Sequence, residues 1–368
     1  PRYGVAAVRS LVRLVGCAGG GRGGSGSGGG GSQRYFEMGN RDVREDLSSG
    51  VSRLFATSSA FAALKEDGSV VSWGGNYKPD GSRRRYSYIG MSNAQEHLKS
   101  DVVEIYSTTA AFAALKADGS VITWGDGSAG GDGSQGFSGY GNPDVSDKLK
   151  SGVVKIFTTN SAFAALKDDG TVVSWGGDYK PDGTHERYTD SGGGMGGVPE
   201  HLNSNVVEIY STVAAFAALK DDGSVVTWGN ASAGGGGSQG SPGAGNADVQ
   251  IKLQSGIQAV FANDSAFAAL KQDGSVVAWG GKYRVNGEET WLAHSGGNTS
   301  NVEKELESGV IKIFATKAAF AALKEDGSVV TWGDPKTGGG GSQPGHGQYD
   351  PDISELLKSG IKEVVSTQ

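Results

Sequence analysis

Ala60-Phe-Ala-Ala-Leu-Lys-Glu-Asp-Gly-Ser-Val-Val-Ser-Trp-Gly74 decides how this chain is read, because the same block returns at Ala111 to Gly125, Ser161 to Gly176, Ala215 to Gly229, Ala266 to Gly280 and Ala319 to Gly333. Its tryptophan stands at 73, 124, 175, 228, 279 and 332, in steps of 51 or 53 residues, and near-identical units at such a period are the mark of a repeat architecture. Inside a unit the apolar pattern is that of strands. Val102-Val-Glu-Ile-Tyr-Ser-Thr108 reads as strand A, Ala111-Phe-Ala-Ala-Leu-Lys116 as strand B and Ser120-Val-Ile-Thr-Trp124 as strand C, all rich in β-branched and aromatic residues. Asp118-Gly119 joins B to C as a hairpin turn, with glycine supplying the positive φ, and Asp67-Gly68, Asp169-Gly170, Asp222-Gly223, Asp273-Gly274 and Asp326-Gly327 repeat it.

After each Trp-Gly comes a long polar insert ending in one or two helical turns, as in Asn142-Pro-Asp-Val-Ser-Asp-Lys-Leu-Lys-Ser-Gly152. There Asn142 suits the cap, Pro143 the first helical position and Gly152 the stop. A three-stranded blade has two open edges and cannot bury its faces alone, so blades must stack or close into a ring. Counting favours a ring. Strand A occurs seven times, from Val51, Val102, Val153, Val206, Ile257, Val310 and finally Ile361-Lys-Glu-Val-Val-Ser-Thr367, whereas the Phe–Trp hairpin occurs six times. Gly4-Val-Ala-Ala-Val-Arg9 and Leu11-Val-Arg-Leu-Val-Gly16 match the missing hairpin in weakened form, with Val15 in the place of the tryptophan. The expectation is therefore an all-β, seven-bladed β-propeller of short antiparallel blades with short helices in the inserts. It forms one domain over 1–368: closing hairpin 4–16, Gly-rich loop and short helix 17–50, six full repeats 51–360 and closing strand 361–368. Residues 4–16 also carry a second reading. Val5, Val8, Val12 and Val15 fall at helical spacing opposite Arg9 and Arg13 in an acid-free stretch, the pattern of an organellar import segment.

The chain has 368 residues with 64 Gly and 9 Pro, no Gly-x-y period and too little proline plus glycine for wholesale disorder. Lys+Arg 33 against Asp+Glu 40 gives a net charge of -7, which argues against nucleic acid as the partner. A single cysteine, Cys17, excludes an internal disulfide framework and permits an intracellular, reducing setting. No apolar run approaches the ~20 residues that span a bilayer.

The signature Ala114-Leu-Lys-Ala-Asp-Gly-Ser-Val-Ile-Thr-Trp-Gly125, recurring over 51–368, resembles the regulator of chromosome condensation repeat, a family of seven-bladed β-propellers. That resemblance implies the propeller fold. Its members include guanine-nucleotide exchange factors for small GTPases, ubiquitin-ligase targeting modules, a plant ultraviolet-B photoreceptor and a bacterial β-lactamase inhibitor, so fold alone does not set function. Two departures stand out. Ser107-Thr-Thr-Ala-Ala-Phe112 occupies the place of the family's Gly-x-x-His, and its Gly-Gln-Leu-Gly after Trp-Gly is absent, so no exchange residue is carried over.

No group of residues announces catalysis, a cofactor or a metal. The aromatic pairs Phe61 and Trp73, Phe112 and Trp124, Phe163 and Trp175, Phe216 and Trp228, Phe267 and Trp279, and Phe320 and Trp332 are read as core, since each such ring buries ~150–250 Å². The Asp-Gly turns gather acid at one end with Glu66, Asp168, Asp221 and Glu325, but one carboxylate per blade is turn chemistry rather than a calcium loop. His97, His185, His201, His294 and His346 lack metal-ligand spacing. Gly234-Gly-Gly-Gly-Ser-Gln239 lacks the Lys of a phosphate loop and is expected to be flexible.

What remains is the opposite end. Strand B runs against A and C, so the A–B turns and every insert emerge together. The inserts alternate in kind: after Trp73, Trp175 and Trp279 they carry Tyr77-Lys78, Tyr179-Lys180 and Tyr283-Arg284, followed by Arg83-Arg84-Arg85-Tyr86, Arg187-Tyr188 and Trp291. Tyr, Trp and Arg are the residues of interface hot spots, and these are the candidate binding residues. The expected function is a non-enzymatic scaffold that binds another protein through this loop face. Nucleotide exchange on a small GTPase and a light or small-ligand receptor are the alternatives that the resemblance offers.

Overall fold

The structure, a computed structural model, describes residues 43–74, 94–134, 144–177, 202–236, 249–281, 295–340 and 355–365. Among them lie six three-stranded antiparallel sheets, each in the order A-B-C with B central. The A strands are Val51–Ala56, Val102–Ser107, Val153–Thr158, Val206–Ser211, Ile257–Ala262 and Val310–Ala315. The B strands begin at Ala60, Ala111, Ala162, Ala215, Ala266 and Ala319, and the C strands end at Gly74, Gly125, Gly176, Gly229, Gly280 and Gly333. No helix among the described residues is long and apolar enough to cross a membrane.

The B–C connection is a three-residue loop. In blade 2 the Gly119 N–H donates to the Lys116 carbonyl at 3.0 Å and the Lys116 N–H to the Ser120 carbonyl at 2.9 Å, which makes a type I turn followed by a glycine bulge. Gly119 sits at φ +78, where a side chain is strained. Asp118 Oδ1 accepts the Ser120 N–H at 2.9 Å and its hydroxyl at 2.6 Å, locking the turn. Between A and B the register slips after the first pair, Val102 with Lys116 and then Glu104 with Leu115. Val103 is left unopposed and half exposed, as are its counterparts Val154, Val207 and Ile311.

The chain divides into two compact units: Pro1–Asp168 with Val173–Thr189 and Gly193–Gly197, and Asp169–Val172 with Asp190–Gly192 and Val198–Gln368. Blades 1 to 3, apart from one turn, belong to the first and blades 4 to 6 to the second. Within each unit one interface recurs, built on the period-two alternation of strand B. One face of a blade offers Ala, Ala and Leu, and the next blade sets Phe, Ala and Trp against it. Ala60, Ala62 and Leu64 meet Phe112, Ala114 and Trp124, and Ala111, Ala113 and Leu115 meet Phe163, Ala165 and Trp175. In the second unit Ala215, Ala217 and Leu219 meet Phe267, Ala269 and Trp279, and Ala266, Ala268 and Leu270 meet Phe320, Ala322 and Trp332. In every blade the Phe and Trp rings stack, with centroids 5.1 to 5.5 Å apart. Small alanines on one face are what let two large rings enter from the other.

Two expectations change. The insert helix that precedes the third A strand is a single 3-10 turn, Asp147–Leu149, whose Leu149 is buried, and the expected cap residues Asn142 and Pro143 lie outside the described residues. The turn is capped by Lys150, and Gly152 follows at φ +77 immediately before the A strand. The seventh A strand begins as the others do, with the Ile361 N–H donating to the Gly327 carbonyl at 2.9 Å, but 361–365 form no strand. No described B strand lies beside that segment. Residues 4–16, the expected closing hairpin, lie outside the described residues.

Candidate functional site

The A–B turns and the starts of the inserts share one end of each blade, fastened by hydrogen bonds. In blade 2 the Thr108 hydroxyl donates to the Ala129 carbonyl at 3.2 Å and the Asp126 N–H to the Ala110 carbonyl at 2.9 Å. In blades 4 and 6, Thr212 and Thr316 likewise reach the Ala233 and Thr337 carbonyls, and in blade 5 Asn263 Nδ2 donates to the Ser295 carbonyl at 2.7 Å. Successive turns are also tied to one another. The Ser58 N–H donates to the Thr109 carbonyl at 2.9 Å and the Thr109 N–H to the Asn160 carbonyl at 2.8 Å in the first unit. In the second, the Val213 N–H donates to the Asp264 carbonyl at 2.8 Å and the Asp264 N–H to the Lys317 carbonyl at 3.1 Å. The roots of the inserts therefore stand on a backbone frame that leaves few turn amides unpaired.

The Gly-rich inserts of blades 2, 4 and 6 start as capped 3-10 turns: Asp126, Asn230 and Asp334 accept the N–H two residues on, and Gly130, Gly234 and Gly338 close the turn at φ +92, +102 and +101. The flexibility expected of these glycines is not what their described part is for. A Cβ on Gly130 would stand 2.6 Å from the Phe163 ring, and one on Gly133 would stand 2.4 Å from Trp175. Glycine is required because the next blade's rings lie on the backbone itself. The carbonyls of Gly130, Gly234 and Gly296 accept the indole N–H of Trp175, Trp279 and Trp332 at 3.0, 3.0 and 2.9 Å.

The candidate binding residues Tyr77, Lys78, Arg83, Arg84, Arg85, Tyr86, Tyr179, Lys180, Arg187, Tyr188, Tyr283, Arg284 and Trp291 all lie outside the described residues. Their flanks do not. Gly74, Gly177 and Gly281 are fixed on one side, with Gly177 and Gly281 N–H groups held by the Ser161 and Ser265 carbonyls at 2.8 and 2.7 Å.

A second row of side chains went unread in the sequence. The third and fifth positions of the A strands hold Arg53 and Phe55, Glu104 and Tyr106, Lys155 and Phe157 in the first unit, and Glu208 and Tyr210, Ala259 and Phe261, Lys312 and Phe314 in the second. Arg53 Nη1 meets Glu104 Oε2 of the next blade at 2.9 Å, and the Arg53, Lys155 and Lys312 cations lie 5.3, 4.7 and 4.8 Å from the Phe55, Phe157 and Phe314 ring centres. Burial, helped by Glu104 and Glu208, raises the phenol pKa values of Tyr106 and Tyr210 above the ordinary tyrosine range. The signal was present as an alternation of cation-with-Phe and Glu-with-Tyr over the first four blades, which Ala259 with Phe261 and Lys312 with Phe314 then break. It escaped because it runs across repeats rather than along one.

At the opposite end, serine hydroxyls and then serine N–H groups hold the carboxyls of Asp67, Asp118, Asp222, Asp273 and Asp326 below the usual carboxylate range. Among the described residues no three His, Cys, Asp or Glu side chains are grouped to hold a metal ion.

No family model matches the chain. Over 178 residues it is 31% identical to the E3 ubiquitin-protein ligase HERC2 of Homo sapiens and 30% identical to that of Mus musculus. Those matches take in 46% of this chain and 4% of each relative, so the chain spans a small fraction of the length of the curated proteins it matches. Among solved structures, yeast RCC1 (Prp20) bound to Kap60 is 17% identical, with 85% of this chain and 75% of that one covered and a TM-score of 0.37. Prp20p from Saccharomyces cerevisiae, whose structure is described with its binding properties to Gsp1p and histones, is 18% identical, with 90% and 80% covered and a TM-score of 0.37.

Proposed function

We propose that this chain, a β-propeller protein with repeats of the regulator of chromosome condensation type, is a non-catalytic scaffold that takes a partner protein on the face where its A–B turns and inserts emerge. The supporting observation is the way that face is built. Thr108, Thr212 and Thr316, with Asn263 in blade 5, fasten insert to turn, and within each unit turn amides fasten blade to blade, so variable inserts hang from a shared frame. Binding residues on loops held by a rigid scaffold are the common arrangement in recognition proteins. The inserts with Tyr77-Lys78, Tyr179-Lys180 and Tyr283-Arg284 are the contact elements of this reading, because an aromatic ring beside a cation suits a hot spot. The reading takes the whole chain as one seven-bladed domain, with residues 4–16 completing the blade that Ile361 begins.

The test is partner capture by full-length protein against the triple variant Tyr77→Ala, Tyr179→Ala and Tyr283→Ala. Loss of the captured proteins with an unchanged melting temperature is the expected result. Retention of the same partners at the same yield would reject the loop face. Nucleotide release from small GTPases, measured on the same two proteins, separates exchange activity from simple binding.

A further inference from the structure

The fourth residue of each A strand carries a main-chain N–H that strand B does not take. In blades 2 and 6 the Thr108 and Thr316 N–H groups donate to the Ala111 and Ala319 carbonyls, and an antiparallel ladder alternates, so Ile105 and Ile313, three residues earlier, point theirs away from strand B. In blades 2 to 5 an oxygen meets this N–H. Ile105 and Ile209 donate to Oε1 of the adjoining Glu104 and Glu208 at 3.1 and 3.2 Å. The Ile156 and Val260 N–H groups point to the phenol oxygens of Tyr106 and Tyr210 on the preceding blade.

Ileu313 of blade 6 has neither arrangement. The residue before it is Lys312, and the ring that packs on its cluster from blade 5 is Phe261, which has no oxygen to offer. Ile313 is 1% exposed, and among the described residues nothing accepts from its outward N–H. A buried main-chain donor in that position calls for an acceptor. Two further features lie beside it. Lys312 is exposed and rests 4.8 Å from the Phe314 ring centre, with no carboxylate paired to it among the described residues. Ala259 is the third residue of the blade 5 A strand, where blades 1 to 4 and 6 have Arg53, Glu104, Lys155, Glu208 and Lys312.

The junction of blades 1 and 2 shows what such a place holds. There the Glu104 carboxylate takes the Ile105 N–H on Oε1 and Arg53 Nη1, at 2.9 Å, on Oε2, so that it lies between an amide and a cation. At the junction of blades 5 and 6 the chain supplies the amide and a cation but not the carboxylate, and Ala259 sends no long side chain across. Phe261 and Phe314, both partly buried, add apolar surface on either side. We propose that Ile313 N–H and Lys312, with Ala259 leaving the approach open and Phe261 and Phe314 flanking it, form a binding site for a small organic acid whose carboxylate is carried on a short apolar stem. One carboxylate oxygen takes the Ile313 N–H, the Lys312 ammonium balances the charge, and the stem lies on the rings. The site goes beyond the loop-face reading and does not depend on it.

The probe is butyrate, titrated at constant ionic strength onto the full-length chain labelled with 15N-isoleucine and followed through its amide signals by NMR. A saturable downfield shift of the Ile313 amide is expected, while Ile105 and Ile209, whose amides are already taken by glutamates, stay in place and report an intact fold. Phe261→Tyr, which copies Tyr106 and Tyr210, should bring a phenol oxygen to the Ile313 N–H and abolish the response. Lys312→Gln should weaken binding about fivefold and Ala259→Leu at least as much. No saturable response at Ile313 would overturn the proposal. So would equal shifts at Ile105 and Ile209, or binding that survives Phe261→Tyr. Chloride that moves the Ile313 amide as far as butyrate does would show an adventitious ion only and overturn the carboxylate assignment.

Discussion

Phe163 and Trp175 of blade 3 and Phe61 and Trp73 of blade 1 are the same pair in the same sequence context, yet they live in different surroundings. Both pairs stack, at 5.2 and 5.5 Å between ring centres. Phe163 is wholly buried and Trp175 donates to the Gly130 carbonyl, whereas Phe61 is partly exposed and Trp73, at 6%, is the most exposed of the six tryptophans of the repeats. The stacking within the two blades is alike, and among the described residues the difference is the preceding blade, whose Gly130 lies on Phe163 and Trp175. Each hairpin is a unit that its neighbour finishes, as expected for repeats stabilised through nearest-neighbour interfaces.

The sharpest way to break that comparison is to delete the rings. Trp175→Ala is expected to cost about 3–5 kcal/mol by urea unfolding, and Trp73→Ala distinctly less. Equal losses would mean that the rings act within their own blade. Next in size, Gly130→Ala combines a positive φ with a clash against Phe163 and is expected to cost about 3 kcal/mol. Gly338→Ala carries only the backbone strain, about 1 kcal/mol. A smaller effect belongs to the turns, which do not depend on the neighbouring blade. Asp118→Ala is expected to cost about 1 kcal/mol by removing the hydrogen bonds to Ser120. Because the folded carboxyl has a lowered pKa, its contribution is present above the unfolded aspartate pKa and fades as pH falls through the folded value. Asp118→Asn keeps the acceptor and should flatten that part of the acid sensitivity, read from melting temperatures between pH 7 and about 3. The smallest effect is a gain. Asp101, at φ +66, stands where blades 3, 5 and 6 have Gly152, Gly256 and Gly309, so Asp101→Gly should stabilise by about 0.5 kcal/mol.

These positions also mark what sequence reasoning could reach. The strands, their order and the Asp-Gly turns were legible because period-two alternation and turn chemistry are local properties. The partner of each Phe and Trp was not, since it lies about fifty residues away on the previous blade, and repetition hides which copy does the covering. The glycines after Trp124 and Trp228 looked like flexible spacers for the same reason: nothing near Gly130 in the chain reveals that Phe163 rests on it. Asp101 and Asn205 look like ordinary polar residues in the sequence, and only their left-handed backbone shows that they replace glycine. The loop candidates follow from residue type and from the end at which inserts emerge, and the frame beneath them was legible only as topology, since its hydrogen bonds join backbone atoms that every sequence shares, or single Thr and Asn side chains to carbonyls twenty or more residues away.

The account stands or falls on neighbour-supplied burial, and the indole N–H groups report it one blade at a time. Hydrogen exchange of the 15N-labelled tryptophan side chains, followed by NMR on the full chain, should find Trp175, Trp279 and Trp332 slow, held by the Gly130, Gly234 and Gly296 carbonyls. Trp73 should exchange markedly faster. Uniform exchange across the four would show that each blade buries its own tryptophan and would contradict the account.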